Sequence, residues 1–502
     1  MEDEAVPTGM DDPTEGPVVD TEEVPEDATP PPSKQRFSGM RGYSIVWFGQ
    51  MISFIGTGMT QFGLIIWVWQ ETGSAISLSL MAFFGFVPMV VMMPFAGVLV
   101  DRWNLKWTIA LVDLTAGLAT IGMLILFGVD VVEVWHLYIL VMFAGLFQAF
   151  QFPAFSTATT MMVAKKHYGR ASGMLMTAQA LSMILAPIFA AILLGVSSIE
   201  AIFMVDVITF TVALGLLALV PIPQPPREDL GKATVKSVVR ESAFGFRFIW
   251  SHKGLLGLQL ILFAFNVIAT FGLVLMSPMI LSKSDDNELM LGSVLAIGAI
   301  GGVIGGVAMS IHGGPKKRVH GVFIGLAIAA VGGIILGLGN DIWGWALGVF
   351  VFMSTIALCN GSNQAIWQSK VAPEFQGRVF ATRGLIAMMG VPISQLLAGP
   401  LAEYWAEPFM EDATGLLEFL FGSGPGAGMA LIIFLVGVGG VIIGLAGYLF
   451  PGVRNVETLM PDHDKAAEEE KEEAKEKEPE EPVEPTPLEE LEQKLDDGQG
   501  HD

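Results

Sequence analysis

Between residues 42 and 451 the chain is a succession of long apolar runs separated by short polar breaks. A bilayer's hydrocarbon core is about 30 Å thick, and about 20 apolar helical residues cross it. In lipid every backbone N–H and C=O must be satisfied within the segment, so such runs are helices. The sequence therefore predicts an all-α, multi-pass membrane protein. Only 15% of residues are charged, against about 25% in a soluble domain. The net charge of −23 belongs to the ends: −8 lies in residues 1–41 and −13 in 452–502. The acidity therefore says nothing about a transport path, and nothing in the composition points to nucleic acid.

Lysine and arginine set the topology. One set of breaks holds Arg102 and Lys106, Lys165, Lys166 and Arg170, six cations between Arg227 and Lys253, Lys316 to Arg318, and Lys370, Arg378 and Arg383. The alternate breaks hold Lys283 as their one cation and carry acids such as Glu71, Asp130, Glu200, Asp285, Glu288, Asp341 and Glu407. The pattern predicts twelve spans in the cell membrane, with both tails cytoplasmic. No basic segment followed by an apolar one opens the chain, so no cleavable signal peptide is read. The expected organisation is a disordered acidic N-tail (1–41), a six-helix bundle (42–221), a basic cytoplasmic linker (222–254), a second six-helix bundle (255–451) and an acidic C-tail (452–502) that is a docking candidate for a cytosolic protein. The seven histidines fall in loops, at segment edges or in the C-tail, and Cys359 stands alone. No metal site, haem or disulfide is expected from these residues.

The two six-span halves echo one another. Gln148 and Gln151 precede Asn360 and Asn363 by 212 positions, and Lys106 precedes Arg318 by the same number. Tyr168-Gly169-Arg170 opens the fifth span and Gln376-Gly377-Arg378 the eleventh. Two pseudo-symmetric six-helix bundles around a basic linker are the sequence pattern of a rocking-bundle transporter.

The break between spans two and three reads GVLVDRWNLK, from Gly97 to Lys106. It resembles the signature loop of the major facilitator superfamily, G-x-L-x-D-R-x-G-R-K. Gly97, Leu99, Asp101, Arg102 and Lys106 match; Asn104 replaces the second glycine and Leu105 the arginine. Asn tolerates a left-handed backbone, which makes that replacement mild. The strings FQAFQFPAFSTATT (147–160), KKHYGRASGM (165–174) and QGRVFATRGLIAMMGVPISQLLAGPLAE (376–403) look like macrolide-efflux-type drug:proton antiporters. Ser182, Ala186, Pro187, Ala190 and Ala191 sit at the spacing of the antiporter motif G-x-x-x-G-P-x-x-G-G, with small residues in place of glycine. Small residues allow close helix approach. Ala186 and Pro187, with Gly399 and Pro400 in span eleven, are read as helix-packing positions.

The resemblance implies the major facilitator fold, with spans 1, 4, 7 and 10 around a central cavity. It also implies a conformational latch of Gly97, Asp101, Arg102, Lys106, Arg170 and Arg378 that forms when the cytoplasmic side is closed. Polar residues at membrane depth normally face the bundle interior. The candidate substrate residues are Gln50, Thr57, Gln61, Gln148, Gln151, Asn266, Asn360, Asn363 and Gln364. A neutral, amide-rich cavity among Phe, Met and Trp suits a bulky amphipathic organic molecule. Two carboxylates lie within spans, Asp113 and Asp206, and Glu403 closes the eleventh. A carboxyl in low dielectric holds its proton more tightly than in water, so Asp206, preferred, and Asp113 are candidate proton carriers.

These readings converge on a secondary transporter that exports amphipathic compounds by proton antiport, without cofactor. With no ATP-binding loop in the sequence, the energy source is an ion gradient. Two alternatives stand beside it: an importer or lipid/lysolipid flippase on the same scaffold, and a non-transporting sensor acting through its tails. No enzyme motif is present.

Overall fold

The computed structural model describes residues 39–224, 244–460 and 462, without the side chains of residues 97, 98, 101, 102, 165, 373 and 374. Residues 1–38 of the expected N-tail, most of the basic linker and the C-tail beyond 462 lie outside the described residues, and the last three N-tail positions, 39–41, already belong to the first helix. Among the described residues the secondary structure is helical, and twelve helices are long and apolar enough to cross a membrane. In chain order they are α1 (Gly39–Thr72), α2 (Ala75–Arg102), α3 (Leu105–Gly128), α4 (Val134–Met162), α5 (Tyr168–Val196), α6 (Ile199–Leu219), α7 (Lys253–Lys283), α8 (Glu288–His312), α9 (Arg318–Leu338), α10 (Ile342–Lys370), α11 (Phe375–Glu411) and α12 (Ala427–Leu449).

Short polar residues set the helix starts. Ser74, Asn104, Asn287 and Asp341 each accept a backbone N–H three residues on, at the first turns of α2, α3, α8 and α10. Such caps satisfy donors that a helix N-terminus leaves open. Asn104 does this in an extended conformation (φ −70°), so the Gly-to-Asn change in the signature loop is accommodated by capping and not by a left-handed turn. Two helices are interrupted. α4 breaks at Ala149–Phe150, ahead of Pro153, and α11 breaks at Met389–Gly390, ahead of Pro392. Proline supplies no N–H to the preceding turn. A Cβ on Gly390 would lie 2.2 Å from Val267 Cγ2, so α11 bends where it meets α7 most closely. Further on, α11 contains a π-helical turn at Ala402–Ala406.

The internal repeat has counterparts in the hydrogen bonding. Ser182 Oγ donates to the Phe54 carbonyl (2.6 Å), tying α5 to α1. Ser394 Oγ, 212 residues on, donates to the Val267 carbonyl (2.7 Å), tying α11 to α7. Likewise Tyr43 donates to the carbonyl of Ala171, and Gln259 to that of Arg383.

The core divides unequally along the membrane normal. At the end bearing the acidic breaks, one cluster draws on both halves, from Met59, Ile66 and Ala190 to Leu275, Ile280, Leu291 and Ala398. At the basic end the cores are separate: Val46, Leu105, Phe155 and Leu217 in the first half, and Leu258, Phe323, Ile366 and Val453 in the second. The halves are closed against each other at the acidic end and apart at the basic end.

The second half extends past both sequence-based boundaries. Residues 244–251 are helical, with Ile249 in that half's core and Phe244 packed on Phe375. Beyond 451, the Glu457 carboxylate accepts the backbone N–H groups of Arg318 and Val319 and so caps α9. Buried Lys370 donates to the carbonyls of Glu457 and Met460 and pairs with Asp462 at 2.9 Å.

Candidate substrate cavity

Two chambers lie between the closed end and the open one. The first, about 450 Å³, is cut into the first half. Its wall carries Ser53, Thr57 and Gln61 of α1, Asp113 of α3, Gln148 and Gln151 at the break in α4, and Gln179 and Ser182 of α5. The second, about 600 Å³, lies between the halves beneath the closed end. It is mostly apolar, with Leu64, Leu78, Met81, Phe86 and Leu273, and its polar groups include Asn266, Thr270, Ser277 and Gln395. Gln61 lines both chambers, so the amide-rich and apolar spaces adjoin at one side chain.

The candidate residues separate accordingly. Thr57, Gln61, Gln148 and Gln151 line the first chamber, and Asn266 the second. Gln50 does not reach either wall. It is 2% exposed, and its amide is committed to Asp113 Oδ2 (Nε2–Oδ2 2.5 Å). The three α10 candidates also line neither chamber. Asn363 is buried and accepts the Trp367 indole N–H, Gln364 accepts from Arg383, and Asn360 is exposed elsewhere. The sequence pattern groups Arg383 with the loop cations. It is instead half-buried in the first turns of α11, between the rings of Trp367 and Phe380. Gln179, Ser277 and Gln395 are lining residues that the sequence pattern does not select, and Ser182, placed by sequence in the antiporter-motif spacing, lines the first chamber as well.

The two intramembrane carboxylates both lean on α1 but occupy different environments. Asp113 lines the first chamber and takes one side-chain hydrogen bond, from Gln50. Asp206, preferred from sequence as the proton carrier, is 2% exposed behind the wall and accepts the hydroxyls of Thr57 (3.2 Å), Thr60 (2.9 Å) and Thr120 (2.8 Å). It ties α6 to α1 and α3. A Cβ on Gly56 would lie 2.9 Å from Asp206 Oδ1 and 2.1 Å from Thr209 Oγ1, so glycine there is what allows α1 and α6 to meet.

The hydrogen bonds between the halves cluster at the closed end. Trp69 donates to Asp286 (2.7 Å), Gln70 to Glu288 (2.9 Å), and Ser74 Oγ and the Ile76 N–H both to Glu403 Oε1 (2.6 and 2.9 Å). The packing candidates lie here too. A Cβ on Gly292 would lie 2.9 Å from the Pro187 carbonyl, one on Gly399 would lie 2.5 Å from Ile76 Cα, and Ala186 abuts Gly58. Pro400 is half-buried just before the π-helical turn. At the open end, Gly97, Asp101 and Arg102 fall in the last turns of α2 with their side chains outside the described residues. Lys106 caps the end of α6 through the Ala218 carbonyl (2.8 Å), Arg378 lies over the Phe244 ring, and Arg170 is exposed.

Residues 46–395 match the sequence profile of the Major Facilitator Superfamily. Among characterised relatives, macrolide efflux protein A of Streptococcus pyogenes is 28% identical over 368 residues, covering 71% of this chain and 88% of its own. The multidrug efflux pump Tap of Mycolicibacterium fortuitum is 26% identical over 386 residues, covering 72% and 88%. The fold is shared with the crystal structure of a bacterial homologue of the human lysosomal transporter Spinster, in an inward-facing and unoccupied conformation (TM-score 0.60, 14% identity, covering 84% of this chain and 98% of that one). It is shared as well with a bacterial homologue of the iron transporter ferroportin in an inward-facing state (TM-score 0.59, 11% identity, 81% and 98%).

Proposed function

Because the chain belongs to the Major Facilitator Superfamily, and is thus a multi-pass membrane transporter and not an enzyme, we propose that it exports bulky amphipathic organic compounds, macrolide-like or drug-like, in exchange for protons by alternating access. The observation that carries this reading is the pair of chambers meeting at Gln61, one lined by amides, hydroxyls and a carboxylate and the other mainly by apolar side chains. A molecule with a polar group and a large apolar body fills both. The names of the efflux relatives support export as the direction.

Orientation follows from the basic breaks, which belong on the cytoplasmic side of the cell membrane. The open end then faces the cytoplasm, as loading for export requires. For the proton, geometry favours Asp113 over Asp206. A carrier has to exchange with the transport path, and Asp113 lines it whereas Asp206 is held behind Thr57 by three hydroxyls.

The test is substrate-evoked proton flux in proteoliposomes with a panel of macrolide-like and dye-like amphiphiles. Flux is expected for the wild type and for Asp206→Asn, and is expected to vanish for Asp113→Asn. Loss in Asp206→Asn with flux kept in Asp113→Asn would return the carrier to α6. Absence of flux with every compound would sink antiport and bring forward import or lipid flipping.

A further inference from the structure

Glu403 stands on the π-helical turn of α11, in the second half, yet its hydrogen-bond donors belong to the first half. One oxygen receives both the Ser74 hydroxyl and the Ile76 N–H, while Ser74 Oγ itself accepts the Ser77 N–H. The first turn of α2 is thus capped by a carboxylate from the opposite bundle. Gly399, one turn earlier, brings the two backbones close enough for this: a Cβ there would meet Ile76 Cα at 2.5 Å and Ser79 Oγ at 2.5 Å. A helix N-terminus has unsatisfied N–H groups and a partial positive charge that favour an anion. The neighbouring Glu407 makes the same kind of bond but within its own half, accepting the N–H groups of Gly426 and Met429 at the start of α12.

We infer that Glu403 is a latch of the transport cycle, a positioning residue whose capping of α2 holds the external side closed and sets the fraction of molecules that open outward. This rests on the alternating-access reading and on the orientation given above. The two bonds share one acceptor oxygen and span the two halves, so they exist while the external ends are together and break as one when those ends part. Breaking them leaves the Ile76 N–H without its acceptor. Closed and open states therefore differ by a charge-assisted contact that no bond within either half replaces, and removing the carboxylate favours the open state.

The test reads conformation and not transport. In a Cys359→Ser background, Leu78→Cys places a thiol in the second chamber just beneath the seam, at a position 5% exposed in this state. A membrane-impermeant maleimide added outside intact cells reaches it when the external side opens. Glu403→Ala is expected to label at least roughly tenfold faster than the parent, tenfold being about the factor for one charge-assisted hydrogen bond and two being lost. Glu403→Gln, which keeps an acceptor oxygen without the charge, is expected to fall between. Glu407→Ala, whose bonds stay within one half, is expected to label at the parent rate. Equal amounts of monodisperse protein on size-exclusion chromatography confirm that each variant folds.

Labelling of Glu403→Ala at the parent rate would overturn the latch and leave alternating access standing. So would equal acceleration by Glu407→Ala, because the effect would then be general loosening. Absence of external labelling in the parent and every variant would overturn the latch together with alternating access.

Discussion

The closed end contains two seams related by the internal repeat, α5 against α8 and α11 against α2, and they are built differently. Both rely on small residues: Ala186, Pro187, Ala190 and Ala191 on one side, Ala398, Gly399 and Ala402 on the other. Pro187 and Gly399 are 212 positions apart, as are Ala191 and Glu403. Among the described residues, α5 and α8 meet by packing, without a hydrogen bond between the two helices. The α11–α2 seam adds the two bonds to Glu403. Packing is non-directional and yields gradually as surfaces slide, whereas a hydrogen bond weakens steeply as its geometry departs from linear. The comparison teaches that a scaffold with twofold pseudo-symmetry can place a smooth bearing at one seam and a directional catch at the other by changing a few side chains, among them Ala191 against Glu403 and Asp286 against Ser74.

The largest effect is expected from glycine. In Gly399→Val the new Cβ falls 2.5 Å from Ile76 Cα and 2.8 Å from the Ala75 carbonyl, backbone that cannot yield without moving α2. Overpacking of this kind costs about 1–3 kcal/mol, and transport in proteoliposomes should fall about tenfold with a lowered melting temperature in detergent. Gly292→Val meets the Pro187 carbonyl at 2.9 Å and Ala191 Cβ at 3.3 Å, and should lose less. A Gly292 variant impaired as badly as the Gly399 one would break the distinction between the seams.

A smaller effect is expected from Trp69→Phe, which keeps the ring and deletes the donor to Asp286. External labelling of the Leu78→Cys reporter should rise about two- to threefold, less than for Glu403→Ala, because freed Asp286 is solvated at the membrane surface. A rise larger than that of Glu403→Ala would move the main catch from α11 to the end of α1. The smallest effect on external opening comes where the repeat is intact and the bonds stay within each half. Ser182→Ala and Ser394→Ala each remove one hydroxyl-to-carbonyl bond between helices, Ser394 also giving up a longer contact to Gly390 of its own helix, and each should cost about 1 kcal/mol. Thermal unfolding should show equal losses that add in the double variant. Unequal losses would show that the halves differ away from the seams as well.

Much of this architecture is legible in the sequence. Apolar runs give the twelve helices and the 212-residue echo gives the two bundles, while the alternation of lysine and arginine supplies the proposed sidedness. Which amide faces the cavity is far harder to read. A membrane helix is apolar toward lipid and toward its neighbours alike, so hydropathy does not mark its inner face. Asn363 and Gln364 look like Gln148 and Gln151 in sequence, yet the first two are bonded to Trp367 and Arg383 while the second two line a chamber at a helix break. Asp113 and Asp206 likewise read as equivalent intramembrane acids. Only the threonines of α1 and α3, distant in sequence, separate them. Glu403 shows at the end of its span, but its bond to residues more than 320 positions earlier depends on tertiary structure that local pattern does not encode.

The staple beneath the second half has a practical consequence for shortening the protein. The folded body reaches at least to Asp462, because Glu457 closes the start of α9 and Lys370 is buried against Glu457, Met460 and Asp462. A truncation at 455 would strand a buried ammonium and uncap a helix, so any loss of function would reflect damage to the bundle. One made after 462 keeps all of these contacts, and is the cut that would show whether the acidic C-terminal stretch acts as a handle for another protein.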